Sequence, residues 1–175
     1  MIERRAKRYF GQAQPRAQGS ILVGDSTKPD TFAGFADKFD WIITSPPYYG
    51  MRTYIPDQWL RLWFLGGSSD VDYSNDRQLS HGSQNEFVRG LREVWLNCAQ
   101  ASNPDARLII RFGSINDRKV NPLELLKKSL EETPWKLKTA RSAGTAHAGK
   151  RQADHFTIDA STPITEYDAW ARLEN

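Results

Sequence analysis

Two stretches of the chain carry apolar residues at helical spacing. In the first stretch, Ser83 and Glu86 form a capping box that marks the start of a helix. The apolar stripe behind it recurs every three or four positions and consists of Phe87, Leu91, Val94, Trp95 and Cys98. In the second stretch, Asn121-Pro122 supplies a cap and a first-turn proline. The stripe expected to follow that cap is Leu123, Leu126 and Leu130.

Shorter apolar runs predict strands. The candidate strands are residues 21–23, 39–44, 108–112 and 135–138, with 156–158 as a last one. Residues 103–105 are predicted to form a turn, and 141–152 to form a loop. Strands that alternate with helices indicate an α/β class with a mostly parallel sheet.

A dense aromatic run at residues 58–65 ends at Gly66-Gly67, and the polar residues 68–82 behind it indicate a loop. Asp57 stands just before the run. It would either cap a helix that begins at Gln58 or lie near Ser45 and accept a proton there.

The segment that carries chemistry follows the apolar run at 39–44. It consists of Thr44 and then Ser45, Pro46, Pro47 and Tyr48, and these last four residues are called the Pro-Pro turn below. Sites in α/β sheets lie beyond the carboxyl ends of strands, and two prolines hold the backbone in one extended shape. The turn therefore displays a hydroxyl group, carbonyl oxygens and an aromatic ring. A nucleobase amine needs such acceptors to orient its N–H groups and a ring on which to stack.

Two other interpretations of the turn stay open. With Tyr49, its prolines match the PPxY pattern that WW domains bind. That role needs an exposed, extended segment, whereas the run before the turn is apolar. Alternatively, the prolines simply end a strand, because proline cannot donate to a sheet ladder.

Composition places the chain among ordinary globular proteins. It has 175 residues, 39 % hydrophobic and 26 % charged, which predicts one folded domain, at 20–175. Residues 1–19 are polar, basic and rich in glutamine, and are expected to be a tail or the remnant of a missing upstream segment. No apolar run reaches the length of a membrane span. The single cysteine, Cys98, excludes an internal disulfide and fits a reducing cytoplasm, and its place in the helical stripe indicates core packing.

The charge pattern is compatible with DNA binding without showing it. The 24 basic and 21 acidic residues give a net charge of +3, and basic residues cluster within 4–16 and 136–151. These clusters are either solvated surfaces or phosphate contacts. The three histidines lack the spacing of a metal site and are expected on the surface: His81, His147 and His155.

The Pro-Pro turn resembles the motif of the amino methyltransferases that modify cytosine N4 or adenine N6 in DNA. In that family a small polar residue precedes Pro-Pro and an aromatic residue, and the serine form is most similar to the cytosine-N4 branch. Thr44 and Tyr49-Gly50 extend the match, and Gly24-Asp25-Ser26 is similar to the family's Gly-Asp element. Residues 108–113 resemble a later core strand, so that the likeness covers roughly residues 20–138.

The resemblance implies a Rossmann-like sheet of the S-adenosylmethionine-dependent methyltransferases, with double-stranded DNA as substrate and S-adenosylmethionine as cofactor. The target base would be flipped out of the duplex. Tyr48 would stack on the base, while Ser45 and the Pro46 carbonyl would bind its amine, with Pro47 fixing the turn. Asp25 and Thr44 would lie at the cofactor.

The chain departs from the family in one respect. The family's Gly-rich loop, which holds the methionine end of the cofactor, has only two weak candidates here, residues 32–35 and Gly66-Gly67. The sheet is therefore expected to be incomplete. The chain would be a truncated form, one subunit of a split enzyme whose partner chain supplies this loop, or a degenerate copy. The other functions left open are a non-catalytic DNA-binding remnant and methylation of adenine N6, of RNA or of a protein amide.

Overall fold

A computed structural model describes residues 18–35, 39–51, 54–73, 79–113, 120–145 and 165–174. Within them the strands are β1 (Phe39–Thr44), β2 (Ser102–Phe112), β3 (Trp135–Thr145) and β4 (Thr165–Leu173). The helices are α1 (Tyr54–Phe64), α2 (Gln84–Gln100) and α3 (Pro122–Leu130), and a short 3-10 turn spans Pro29–Thr31. The α/β class predicted from the sequence is confirmed.

The four strands form one sheet in the order β1-β2-β4-β3. β1 pairs with β2 in parallel, whereas β4 pairs antiparallel with both β2 and β3. The prediction of a mostly parallel sheet is therefore wrong. The reason is β4, which lies between β2 and β3 and runs antiparallel to both. Antiparallel neighbours need no helical crossover between them.

The predicted strand at residues 21–23 does not form. Ile21, Leu22 and Val23 are in no regular element, and their exposed fractions are 96 %, 58 % and 95 %. A run of three apolar residues forms a strand only if another strand pairs with it. None of the described strands pairs with residues 21–23. The predicted strand at 156–158 and most of the basic tail lie outside the described residues.

Two strands are longer than the sequence predicted. β2 includes Asn103, Pro104 and Asp105, which were expected to form a turn. They form an irregularity inside the strand, where the register shifts between Phe39 and Trp41 of β1 and Asp105 has a φ of 65°. β3 is an edge strand, as expected, but continues through part of the predicted loop to Thr145.

Helices α2 and α3 begin where the capping residues predicted. The Ser83 hydroxyl accepts a hydrogen bond from the Glu86 N–H at 3.2 Å. The Asn121 side chain accepts from the N–H groups of Leu123 and Glu124, with Pro122 as the first helical residue. These contacts satisfy N–H groups that a helix leaves without intrahelical partners.

The core lies between one face of the sheet and helices α2 and α3. Its largest fully buried side chains are Trp95, Trp135, Phe87, Phe112, Leu91, Leu108, Ile110 and Leu126. Cys98 is buried in the same cluster, and desolvation raises the pKa of its thiol to about 11. Cys98 therefore packs as a small apolar side chain, as its helical position predicted.

The opposite face of the sheet is uncovered at its centre. Trp41 and Ile43 of β1 and Trp170 of β4 point to this face, with exposed fractions of 47 %, 73 % and 51 %. Ile109 of β2 is the register partner of both Ile43 and Trp170. None of the helices in the described part of the chain is long and apolar enough to cross a membrane.

Two buried indoles join the covering helices to the sheet. The Trp95 N–H donates to the Ser129 hydroxyl at 3.0 Å, and the Trp135 N–H donates to the Trp95 carbonyl at 2.8 Å. Ser129 donates in turn to the Leu126 carbonyl. Because all of these groups are buried, each depends on its partner within the protein.

We expect Ser129→Ala to lower the free energy of unfolding by about 1–3 kcal/mol, because it leaves the Trp95 N–H buried without this acceptor. Urea denaturation measures the change. A double-mutant cycle with Trp95→Phe, which removes the donor, should show a coupling of about 1 kcal/mol. Strict additivity of the two substitutions would contradict the assigned bond.

Candidate functional site

The Pro-Pro turn lies at the carboxyl end of β1. The strand ends at Thr44, which pairs with Ile110 of the parallel strand β2, and the turn follows immediately. The predicted position of this segment is therefore confirmed. In open sheets with parallel strands, this edge is where ligand sites are found.

The backbone of the turn is directed by its prolines and by one hydrogen bond. Pro46 and Pro47 are half-buried, whereas Ser45 is exposed. The Met51 N–H donates to the Tyr48 carbonyl at 3.0 Å, which closes the chain behind the turn. Gly50 in this loop has a φ of 89°, a conformation that side chains with a Cβ rarely adopt. The Ser45 hydroxyl therefore faces solvent on a fixed backbone.

The ring of Tyr48 is held by residues from two other strands. It packs edge-on against Phe112, the last residue of β2, with ring centroids 5.8 Å apart. Its hydroxyl donates to the Glu166 carboxylate of β4 at 2.6 Å. A Cβ added at Gly113 would lie 3.1 Å from the Tyr48 Cζ atom, so that glycine allows the close approach. Tyr48 is thus half-buried and oriented from two sides.

Tyr49 points the other way, into the core. It is 6 % exposed and packs edge-on against Phe87, with centroids 5.4 Å apart. His81 stacks on the same Phe87 ring and accepts a hydrogen bond from the Gly50 N–H at its Nδ1 atom, 3.0 Å away. Because Nδ1 is the acceptor, the neutral ring carries its proton on Nε2.

The expected surface position of His81 is therefore wrong, since the residue is 6 % exposed. Its flanking residues in the chain are polar, and its contacts with Phe87, Tyr49 and the Gly50 N–H place it inside. His147 and His155 lie outside the described residues. Among the residues that are described, no cluster of His, Cys, Asp or Glu is arranged to hold a metal ion.

Asp25 sits in a tight polar turn near the other end of the sheet. Its carboxylate accepts hydrogen bonds from the N–H and hydroxyl of Thr27 at 2.9 and 2.7 Å, and these bonds lower the pKa of Asp25. The Asn97 amide donates to the Ser26 carbonyl at 3.0 Å and ties this turn to the last part of α2, shortly before β2 begins. None of the hydrogen bonds in the described ranges joins Asp25 to the Pro-Pro turn. Its place at a cofactor stays a prediction.

The two candidates for a Gly-rich loop have other structural roles. Gly66 and Gly67 end helix α1, where their N–H groups donate to the carbonyls of Trp63 and Leu62. Residues 32–35 follow the 3-10 turn, and among the described residues 18–31 no strand precedes them. Asp57 lies inside α1, which begins at Tyr54, so the predicted cap at this position is also wrong.

Glu166 was missed by the sequence analysis, because its strand was not predicted. Tyr48 and Glu166 are 118 positions apart in the chain. The alternation of inward Ala169, Ala171 and Leu173 with outward residues would have revealed β4, but small alanines weaken the hydrophobic pattern. All three are buried in the core cluster that also contains residues of α2 and α3.

Comparison with protein-family profiles gives no match, and comparison with curated proteins gives none either. Among solved structures, the chain is similar to a Thermus thermophilus protein named "Putative DNA Modification Methylase", with 20 % identity and a TM-score of 0.48 over 87 % of this chain. The same protein complexed with S-adenosyl-L-methionine gives 14 % identity and a TM-score of 0.46. This chain spans about half of that protein, 51 % of its length.

A second similar structure is the 16S rRNA (adenine(1408)-N(1))-methyltransferase from Catenulisporales acidiphilia, solved as a mutant with its cosubstrate. The identity is 17 % and the TM-score 0.39, over 87 % of this chain and 60 % of the other. At these values the likeness concerns the path of the chain alone.

Removing the Glu166 carboxylate should loosen the Tyr48 ring. We expect Glu166→Ala to lower the free energy of unfolding by about 1 kcal/mol, since hydrogen bonds to charged groups contribute more than neutral ones but this one is only part-buried. Glu166→Gln keeps an acceptor and should retain most of the stability. NMR of ring-labelled tyrosine provides the direct measurement, with the Tyr48 signal assigned through Tyr48→Phe. Its shift should move in Glu166→Ala and much less in the control Asp168→Asn. An unmoved signal would show that the contact is absent in solution.

Proposed function

We propose that this chain is the base-holding part of an S-adenosylmethionine-dependent methyltransferase that acts on the exocyclic amine of a base in DNA. One observation carries the proposal. A rigid turn at the carboxyl end of β1 presents an exposed hydroxyl beside a tyrosine ring that Phe112 and Glu166 orient. Plain strand termination explains the prolines, but it does not explain a tyrosine held from two other strands.

The turn offers what an amine on a planar base requires. The Ser45 hydroxyl and the Pro46 carbonyl would each accept a hydrogen bond from one N–H group of the amine. These two bonds would increase the electron density on the amine nitrogen. Tyr48 would stack on the base, and base–aromatic stacking contributes about 1–3 kcal/mol. Because the ring is already oriented in the protein, little further ordering is needed when a base arrives. Much of the rate would then come from positioning.

The described residues do not form a complete cradle for S-adenosylmethionine. Gly66 and Gly67 are occupied as a helix end, and the Asp25 turn is tied to α2 rather than to the Pro-Pro turn. The cofactor supplies an electrophilic methyl group when it is bound. We propose that its site is completed outside the described part of this chain, with Asp25 and Thr44 as the contributions of this chain.

The proposed substrate is cytosine N4 in double-stranded DNA, since a serine opens the Pro-Pro turn. The base would be flipped out of the duplex, because its amine is unreachable while it is stacked. A DNA-binding protein that has lost methyl transfer is the second candidate. The absence of a cofactor cradle among the described residues favours it, and cofactor binding distinguishes the two.

Calorimetry with S-adenosylmethionine tests the cofactor assignment. The isolated chain should bind weaker than micromolar, because a half-built pocket lacks most of its preorganised contacts. Asp25→Ala should weaken any residual binding further, whereas Asp30→Ala, an exposed acidic control in the 3-10 turn, should not. Micromolar or tighter binding by the unmodified chain would show that its 175 residues contain the whole site.

Tyr48→Ala tests the base-holding role in the complete enzyme, whether that is a longer chain or a complex with a partner. We expect methyl transfer to duplex DNA to slow about ten- to a hundredfold, the equivalent of the lost stacking. DNA affinity should hardly change, because it comes mostly from phosphate contacts. Tritium transfer and binding at fixed salt measure the two effects.

The matched variants separate the ring from its hydroxyl. Tyr48→Phe keeps the ring and should be mild, while Ser45→Ala should be damaging because it removes a contact to the amine. Full activity of Tyr48→Ala would show that the turn has a purely structural role.

A further inference from the structure

The uncovered face of the sheet is organised in three rows that run across the strands. The middle row is apolar, with Ile43, Ile109 and Trp170 in register. On one side of it lies a row that begins with Trp41 and continues with three basic residues on successive strands: Arg107, Arg172 and Lys136. On the other side Arg111 and Arg141 flank Asp168, and Arg111 donates two hydrogen bonds to the Asp168 carboxylate at 2.8 and 2.9 Å. These three rows are called the open face below.

The basic residues beside Trp41 are available to an acidic partner. Arg107 lies over the Trp41 ring, 4.6 Å from its centroid, and forms no ion pair with a carboxylate of the described residues. Arg172 pairs at 3.0 Å with Asp105, an ion pair whose side chains are both more than half exposed. Exposed pairs of this kind contribute little and are easily exchanged for a better partner.

The two edges of the sheet differ in how they are protected. β3 carries Lys136, Lys138 and Arg141 and two register irregularities, all features that discourage another strand from pairing. β1 has no lysine, arginine or proline. Asp40 and one register irregularity lie at its start, and the apolar residues Trp41, Ile42 and Ile43 follow. An edge strand with a run of apolar residues is an aggregation hazard unless something pairs with it. The contrast indicates that the β1 edge is paired in the functional protein.

Helix α1 adds to the uncovered apolar surface. Leu60, Trp63, Phe64 and Leu65 at its end have exposed fractions of 59 %, 47 %, 83 % and 84 %. An isolated helix of 11 residues is marginal in water and needs tertiary packing for stability. The described residues supply little such packing.

We propose that the open face and the β1 edge form one interface for a second, different polypeptide, which adds a strand to β1 and lays an apolar surface flanked by Asp and Glu over the middle row. The inference rests on the proposed function in one respect, because this polypeptide would carry the missing cofactor loop. The apolar row requires the apolar surface. The basic residues Arg107, Arg172 and Lys136 on one side of it, and Arg141 on the other, select acidic flanks.

A second copy of this chain fits the surface less well. A two-fold interface places the same patch on both sides, so each copy would bring an excess of basic residues to it. Like charges opposed across an interface disfavour association. A nucleic acid would complement the basic residues and the tryptophans. It would leave Ile43 and the β1 backbone groups without partners.

Photocrosslinking tests the occupant in the cells that make this protein. Benzoylphenylalanine is placed at Ile43 on the β1 edge or, as the matched control, at Lys138 on the β3 edge. The expected result is one adduct from position 43, with a polypeptide other than this chain, and none from position 138. The crosslinked peptide should alternate apolar residues as a strand does or carry an apolar stripe between acidic residues.

The identified polypeptide is then purified and its affinity measured. Ile43→Asp should weaken binding more than tenfold, and Arg107→Glu about tenfold, whereas Lys138→Glu should have no effect. All three positions are exposed or half-exposed, and the unfolding free energy of each variant shows that the fold is kept. Arg107→Glu should also reduce the salt dependence of the affinity.

Other outcomes overturn the proposal. These are no adduct from position 43, an adduct with a second copy or with nucleic acid, or a partner whose affinity ignores Ile43→Asp. The proposed function fails separately. If the partner docks as expected but the complex does not bind S-adenosylmethionine, the interface stands and the methyltransferase assignment falls.

Discussion

The parallel pairing of β1 with β2 is the interaction on which the rest of the structure depends. It brings the carboxyl ends of both strands to one edge, so that Tyr48 meets Phe112 and Gly113. A one-residue slip would turn Ile42 away from the core and carry Tyr48 off its supports. The irregularity at Asp105 lies at the far end of the pair, where it disturbs the register without reaching the site.

The second constraint is that only one face of the sheet is buried. Helices α2 and α3 cover one face of the sheet, and Ala169 and Ala171 of β4 are buried in the same core as Trp95 and Trp135. The other face carries apolar residues in its middle row and charged residues in the rows on either side of it. Parallel strands are normally buried on both faces, and the two-sided hydrophobic run Trp41-Ile42-Ile43 has that character.

The sequence predicted elements whose signals are local. Stripes and caps indicated α2 and α3, and the apolar run stopped by Pro46-Pro47 indicated β1 and the position of the site. Predictions failed where contacts between residues far apart in the chain determine the local structure. Residues 21–23 have the composition of a strand but no described partner. His81 is buried because it packs against Phe87 and accepts a hydrogen bond from the Gly50 N–H. Glu166 could not be foreseen, because nothing near it in the chain marks its approach to Tyr48.

The strand order has a consequence for synthesis on the ribosome. β4 is the last described strand in the chain, yet it lies between β2 and β3. Until residues 165–173 have left the exit tunnel, β2 and β3 lack their shared neighbour, and Tyr48 lacks Glu166. The helices can form early from local contacts, whereas the sheet must wait for pairings of long sequence separation, which form slowly. Until β4 is available, the nascent chain therefore exposes the unpaired edges of β2 and β3, and intermediates of this kind are prone to aggregate.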